Sequence, residues 1–240
     1  MYHVPSVASA TTHTVRPFGN LWKNIWASAL LCLCAHIAAA APPLKVWNGS
    51  VSTNWATAGN WTPAAVPIAG DSVRIPDAPA NQPVILTSTL AKAKNVFVLS
   101  GASLVINSGA ELELASTFDA VAFTNQGTSV NNGTLRIKSG FQGIYAGGSF
   151  TNNGTLLLGE ATSTPYSFRE EGIAMYDMNA GFVNNAAASI VIWRPGNNGI
   201  LMFATGTSFT NDGAIRIRTN GLNPNTAGTA DGIDVRNGSY

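Results

Sequence analysis

Phe150-Thr151-Asn152-Asn153-Gly154-Thr155-Leu156-Leu157-Leu158 is the most regular statement of a pattern that the chain writes four times. Its core is Phe-x-Asn, then Gly, then alternating aliphatics. Phe123-Thr124-Asn125 leads to Gly133-Thr134-Leu135-Arg136-Ile137 in the same way. Phe182-Val183-Asn184 leads to Ser189-Ile190-Val191-Ile192, and Phe209-Thr210-Asn211-Asp212-Gly213 leads to Ala214-Ile215-Arg216-Ile217. The phenylalanines are spaced by 27, 32 and 27 residues. A second marker recurs as Gly143-Ile144, Gly172-Ile173, Gly199-Ile200 and Gly232-Ile233. Self-similarity at a period of about 20 to 50 residues is the signature of stacked repeats.

The local grammar is that of strands and turns. Short alternating runs such as Val96-Phe97-Val98-Leu99, Leu104-Val105-Ile106 and Leu112-Glu113-Leu114 are bounded by Gly, Asn, Ser and Thr. No stretch after residue 41 sustains a 3.6-residue period with caps. In Leu135-Arg136-Ile137-Lys138 and Ile215-Arg216-Ile217-Arg218 the aliphatics share one face and the cations the other. Propeller blades need about 40 or more residues, so the shorter spacing points to a parallel β-helix with three short strands per coil. Parallel crossovers are right-handed, and the coil is expected to be so too. Phe123, Phe150, Phe182 and Phe209 are then expected as one interior aromatic column. Asn125, Asn152, Asn184 and Asn211 are expected as an amide ladder at a turn, or as plain turn residues.

The two ends set the boundaries. Residues 1–41 carry Arg16 and Lys23, then an uncharged run from Ile25 to Ala41. That is the order of a secretory signal peptide, with cleavage near Ala39 or Ala40; the alternative is an uncleaved membrane anchor. Residues 42–95 form a Trp-rich entry segment with the first strands, and residues 96–240 carry the repeats in about four visible coils. Gly232-Ile233 followed by Ser239-Tyr240 matches Gly199-Ile200 followed by Ser208-Phe209. The chain is therefore expected to stop mid-repeat, with further C-terminal sequence beyond it.

Composition narrows the function classes. All 3 histidines and both cysteines fall within residues 1–41. The remainder therefore has no Ser–His or Cys–His nucleophile and no His or Cys zinc site. Of 13 Lys and Arg, two lie in that segment, leaving 11 basic against 12 acidic side chains. Such a balance gives no electrostatic footprint for nucleic acid. No cofactor and no metal site is expected, since no Asp-x-Asp-x-Asp-Gly loop occurs.

The entry segment reads Val46-Trp47-Asn48-Gly49-Ser50, Asn54-Trp55, Asn60-Trp61 and Pro67, then Gly70-Asp71-Ser72-Val73-Arg74-Ile75-Pro76. It resembles the N-terminal segment of large secreted bacterial surface proteins. It is also similar to the start of the extracellular domain named for its eight glycines. The resemblance covers about residues 46–115, including Gly101-Ala102-Ser103-Leu104-Val105-Ile106. The later repeats resemble pectin-lyase-like β-helices and adhesins. The resemblance implies a non-catalytic adhesion or scaffold region, located outside the cell or on its surface, that contacts the membrane only through its signal peptide. The partners it implies are an extracellular glycan or other surface proteins. Trp47, Trp55 and Trp61 are expected either to cap the first coil or to form a sugar platform. Trp193 is expected beside Lys138 and Arg218, as a second glycan contact or as packing for its own loop.

The alternative is a carbohydrate-active β-helix, a polysaccharide lyase or glycoside hydrolase. Its acids would be Glu170 and Glu171 at the end of loop 159–171, and Asp231 and Asp234 around the end of loop 218–231. Paired carboxylates run glycoside hydrolysis at separations of about 5 to 9.5 Å. Convergence of these acids with a base would favour the enzyme; scatter would favour the scaffold.

Overall fold

The computed structural model describes residues 43–163, 166–218 and 232–236. The expected signal segment, Asp231 and the Ser239-Tyr240 pair lie outside them. The described chain is all-β apart from one 3-10 turn, Ala58–Asn60. Among the described residues no helix is long and apolar enough to cross a membrane.

Alternation builds the strands. In Glu111–Leu114 the two leucines are buried and the two glutamates are not, and Thr134–Ile137, Thr155–Leu158 and Ser189–Trp193 repeat the pattern. The strands associate into three parallel sheets, and successive coils visit each in turn. Sheet 1 runs Ser72–Ile75, Asn95–Val98, Phe123–Asn125, Ile144–Ala146, Ile173–Met175, Ile200–Met202 and Ile233–Val235. Sheet 2 runs Val84–Ile85, Ser103–Ile106, Thr128–Asn131, Ser149–Asn152, Gly181–Asn184 and Ser208–Asn211. Sheet 3 runs Leu90–Ala93, Glu111–Leu114, Thr134–Ile137, Thr155–Leu158, Ser189–Trp193 and Ala214–Arg218. The described residues thus form a parallel β-solenoid of six complete coils, with a seventh begun by Ile233–Val235.

The coils begin earlier than the phenylalanine repeat suggests. Ser72–Ile75 already pairs in register with Asn95–Val98, Val73 opposite Val96. Coils 1 and 2 carry Ile85, Leu104 and Ile106 at the interior positions of sheet 2, so they lack the Phe-x-Asn signature. Ahead of coil 1, Leu44–Trp47 pairs parallel to Ser72–Ile75, and Trp61–Thr62 returns antiparallel on its outer side.

Three of the four expected phenylalanines form the column. Phe150 and Phe182 stack at 4.8 Å, and Phe182 and Phe209 at 5.1 Å. Phe123 stands in sheet 1, between Val96 and Ile144 in register. The residue of coil 3 that aligns with Phe150 is Ser129. Phe123 supplies the missing ring from the side, meeting Phe150 edge-on at 5.9 Å.

The amide ladder is corrected in the same way. It runs Asn131, Asn152, Asn184 and Asn211, each in register with the next. Asn131 donates to Asn152 Oδ1 at 2.8 Å, Asn152 to Asn184 at 2.7 Å, and Asn184 to Asn211 at 2.6 Å. Asn125 is outside the ladder; it accepts from Ser129 Oγ and donates to the Ser149 carbonyl. Turns stack as closely as the strands do. A Cβ on Gly154 would sit 2.1 Å from the Gly133 carbonyl oxygen, so the Asn-Gly turn tolerates no side chain there.

Candidate functional site

The expected sugar platform is not open. Trp47, Trp55 and Trp61 are each at most 1% exposed. Trp61 meets Trp47 at 4.9 Å and Trp55 at 4.7 Å, both edge to face. Trp47 Nε1 donates to the Asn81 carbonyl and Trp61 Nε1 to the Trp55 carbonyl. Asn60 is fully buried and ties the loop: its Oδ1 accepts from the Val51 and Ser52 amides. Asn54 pairs with Val84 at the free edge of sheet 2. These rings cannot stack on a pyranose, because their faces are spent on one another and on the first coil. Trp193 is half-buried on the last strand of coil 5, in register with Arg218. The Arg218 guanidinium lies 4.9 Å from the ring centre, which covers that face. Gly159, rather than Lys138, is the residue against it on the other side.

The acids gather elsewhere. Insertions fall where the chain passes from sheet 3 back to sheet 1, and these loops stack on one another: Phe168 bridges Gly140 and Pro195. Just after Phe168, the loop places Arg169, Glu170 and Glu171 at the margin of sheet 1. The outward column of sheet 1 reads Arg74, Phe97, Thr124, Tyr145, Ala174, Leu201 and Asp234.

Glu171 is 1% exposed and has no cationic partner in hydrogen-bonding contact. Gln142 Nε2 donates to its Oε2 at 2.7 Å and Asn197 Nδ2 to its Oε1 at 3.1 Å. Tyr176 OH approaches Oε2 at 3.5 Å. Burial pushes the Glu171 carboxyl above the usual range, against the bond from Gln142, and the neighbouring Glu170 charge adds to the rise. Gln142, Glu171 and Asn197 belong to three successive coils, so the carboxylate clasps them.

Tyrosines continue the clasp. Tyr176 follows Ile173–Met175 yet its hydroxyl approaches Glu171 before it, so its side chain runs back along the strand. Its ring stacks on Tyr145 at 6.0 Å and leans on Phe203 at 5.6 Å. Tyr145 OH donates to Asp177 Oδ1 at 2.7 Å. Burial and the nearby carboxylates raise both phenols to about 12. Tyr145 and Tyr176 stack with their planes 26° apart, and Phe203 is tilted by 51° to Tyr176.

Asp234 lies two coils beyond Glu171, about 10 Å along the axis at one strand spacing per coil. Its Oδ2 accepts from Asn198 Nδ2 at 3.4 Å and from Arg236 Nε at 2.7 Å. Glu170 is half-buried beside Arg169, whose guanidinium lies over Phe141 and 3.8 Å from Asp119. Three of the four expected acids thus come to one face. Glu171 and Asp234 are already engaged by neighbouring coils, and Asp231 lies outside the described residues. No group of three His, Cys, Asp or Glu capable of holding a metal occurs among the described residues.

Gln142, Tyr145, Tyr176, Asn197 and Asn198 were not singled out from sequence. One signal was available: Gln142, Glu171 and Asn198 each stand immediately before a Gly-Ile marker.

Residues 46–155 match the family model of a domain of unknown function (DUF8693), which spans the tryptophan segment and reaches into coil 4. No curated protein matches the chain, and no solved structure does.

Proposed function

We propose that this chain is a non-catalytic, extracellular scaffold or adhesion region of a bacterial surface protein. Residues 1–41 serve as its export signal. The segment before Ser72 caps the N-terminal end of a right-handed solenoid, with the buried tryptophans as its plug. The observation that carries the reading is the state of the acids. Glu171 is held by amides of the coils before and after its own, and Asp234 is paired with Arg236. A hydrolase needs a free carboxylate pair, and a lyase needs a base within reach of one.

A second reading retains one favourable observation. A buried carboxyl with a raised pKa is what a general acid requires, and Glu171 sits at the margin of sheet 1. The test is a depolymerisation assay of the full chain on neutral and acidic polysaccharides, read as new reducing or unsaturated ends. The scaffold reading expects none. Cleavage that disappears in Glu171→Gln or Asp234→Asn, with circular dichroism unchanged, would establish the enzyme instead.

A further inference from the structure

The outward face of sheet 2 carries a different chemistry from the other two. One rank along the axis is Val105, Val130, Thr151, Val183 and Thr210, each in register with the next. The rank beside it holds only small hydroxyl residues or glycine, from Ser103 to Ser208. On the other side stand Asn132, Asn153 and Asn185, whose amides bond one to the next. Through coils 2 to 5 these three ranks hold no charged residue; Asp212 follows in coil 6. Sheet 3 is the opposite: Glu113 lies 3.6 Å from Lys92 and 3.0 Å from Lys138, and Glu111 pairs with Arg136 at 2.8 Å.

We infer that the outward face of sheet 2 pairs with the same face of a second copy of this chain. The argument extends the adhesion reading and rests on it. Charge complementarity is the first ground. Asp212 at the coil 6 corner apart, the face is neutral and meets its own copy without the like-charge opposition that costs an interface several kcal/mol. Period is the second. The ranks repeat once per coil, and a second copy shares that spacing by construction. Thr151 lies in coil 4, midway along its rank, so a two-fold axis through it sets every rank against its equivalent. Asn153 and Asn185 each donate one amide N–H to the coil before, and each amide carries a second N–H. The β-branched rank between supplies a dry strip of the kind seen between packed sheets. Area is the third ground. Five coils by three outward positions give a patch of roughly 24 by 17 Å, or about 800 Å² buried over both copies. That falls among weak, transient contacts, the range in which many copies on a surface act together.

The experiment is sedimentation velocity of the full chain over a concentration series. Thr151→Lys and Thr151→Glu are run separately and mixed, with Leu157→Glu, outward on sheet 3 in the same coil, as the control. Wild type and Leu157→Glu are expected to show the same concentration-dependent rise in mass. Each Thr151 variant alone should weaken association by at least about tenfold, and the mixture should restore it. A wild type that stays monomeric overturns the proposal, as does a Thr151 variant that behaves like Leu157→Glu. The same variants are tested for capture on microcrystalline cellulose and chitin. Capture by a monomeric wild type that Thr151→Lys abolishes would assign the face to a neutral glycan instead. Because mass is read rather than cleavage, failure here leaves the non-catalytic reading separately testable.

Discussion

The outer faces of sheets 1 and 2 belong to the same coils and divide their labour. Sheet 1 and its margin hold what resembles an active site: carboxylates, tyrosines and an arginine. Its polar groups are bonded across coils, Gln142 and Asn197 to Glu171, and Tyr145 to Asp177. Sheet 2 presents serine, threonine, valine and asparagine, and its outward side chains retain hydrogen-bonding capacity. Chemical reactivity of residue types is thus a poor guide to which face is available. Available capacity is the better guide, and it is read from partners rather than from identity.

Substitutions sharpen that contrast. The largest effect is expected just beneath the free face, at Asn152. Its amide accepts from Asn131 and donates to Asn184 in full burial. Asn152→Ala should cost about 2–3 kcal/mol in urea unfolding, since it leaves buried groups unpaired. Asn153→Ala, one residue on and outward, should stay within about 0.5 kcal/mol. Equal losses at the two positions would break the distinction between inner and outer ladders.

Tyr176→Ala comes next. It removes the ring that joins Tyr145 to Phe203, and a loss of about 1.5–2 kcal/mol in chemical denaturation is expected. A smaller change is expected for Tyr145→Phe, about 1 kcal/mol from the bond to Asp177. The raised phenols also set an alkaline limit. The folded state holds both protons to about 12 and the unfolded state releases them from about 10. Stability should therefore fall as pH rises above about 10, and less so in Tyr145→Phe, as thermal melts across that range will report. Thr151→Ala on sheet 2 should change stability least, within about 0.5 kcal/mol by the same melts.

Much of the architecture was legible because a solenoid repeats its instructions. The Phe150, Phe182 and Phe209 stack, the amide ladder and the inward aliphatics all follow from alternation and period. Coil 3 misled because its sheet 1 strand, Phe123-Thr124-Asn125, copies a motif that belongs to sheet 2. Its true sheet 2 strand uses Ser129, with Phe123 filling the space, and so concealed Asn131. Coil 1 was hidden because isoleucine and alanine fill the same positions without a distinctive spacing, whereas the strands of coil 2 were legible from Val96 onward. The tryptophans were ambiguous for another reason. Asn, Gly and Ser beside them read as surface, whereas Asn60 turns inward to satisfy the loop that buries them. The sheet 1 clasp is assembled from positions far apart in sequence, and only the polar residue before each Gly-Ile marker hinted at it.

The most direct test of the division between faces is the pH dependence of unfolding for wild type and Glu171→Gln. Burial raises the folded carboxyl above its ordinary 4.5. Its contribution is therefore fully present below that value and lost as pH rises through the folded pKa. Urea titrations from about pH 4 to about pH 8 should show wild-type stability falling over that window, with the variant comparatively flat. Parallel curves would mean that Glu171 ionises as freely in the coil as in the unfolded chain, and would contradict a carboxylate clasped between coils.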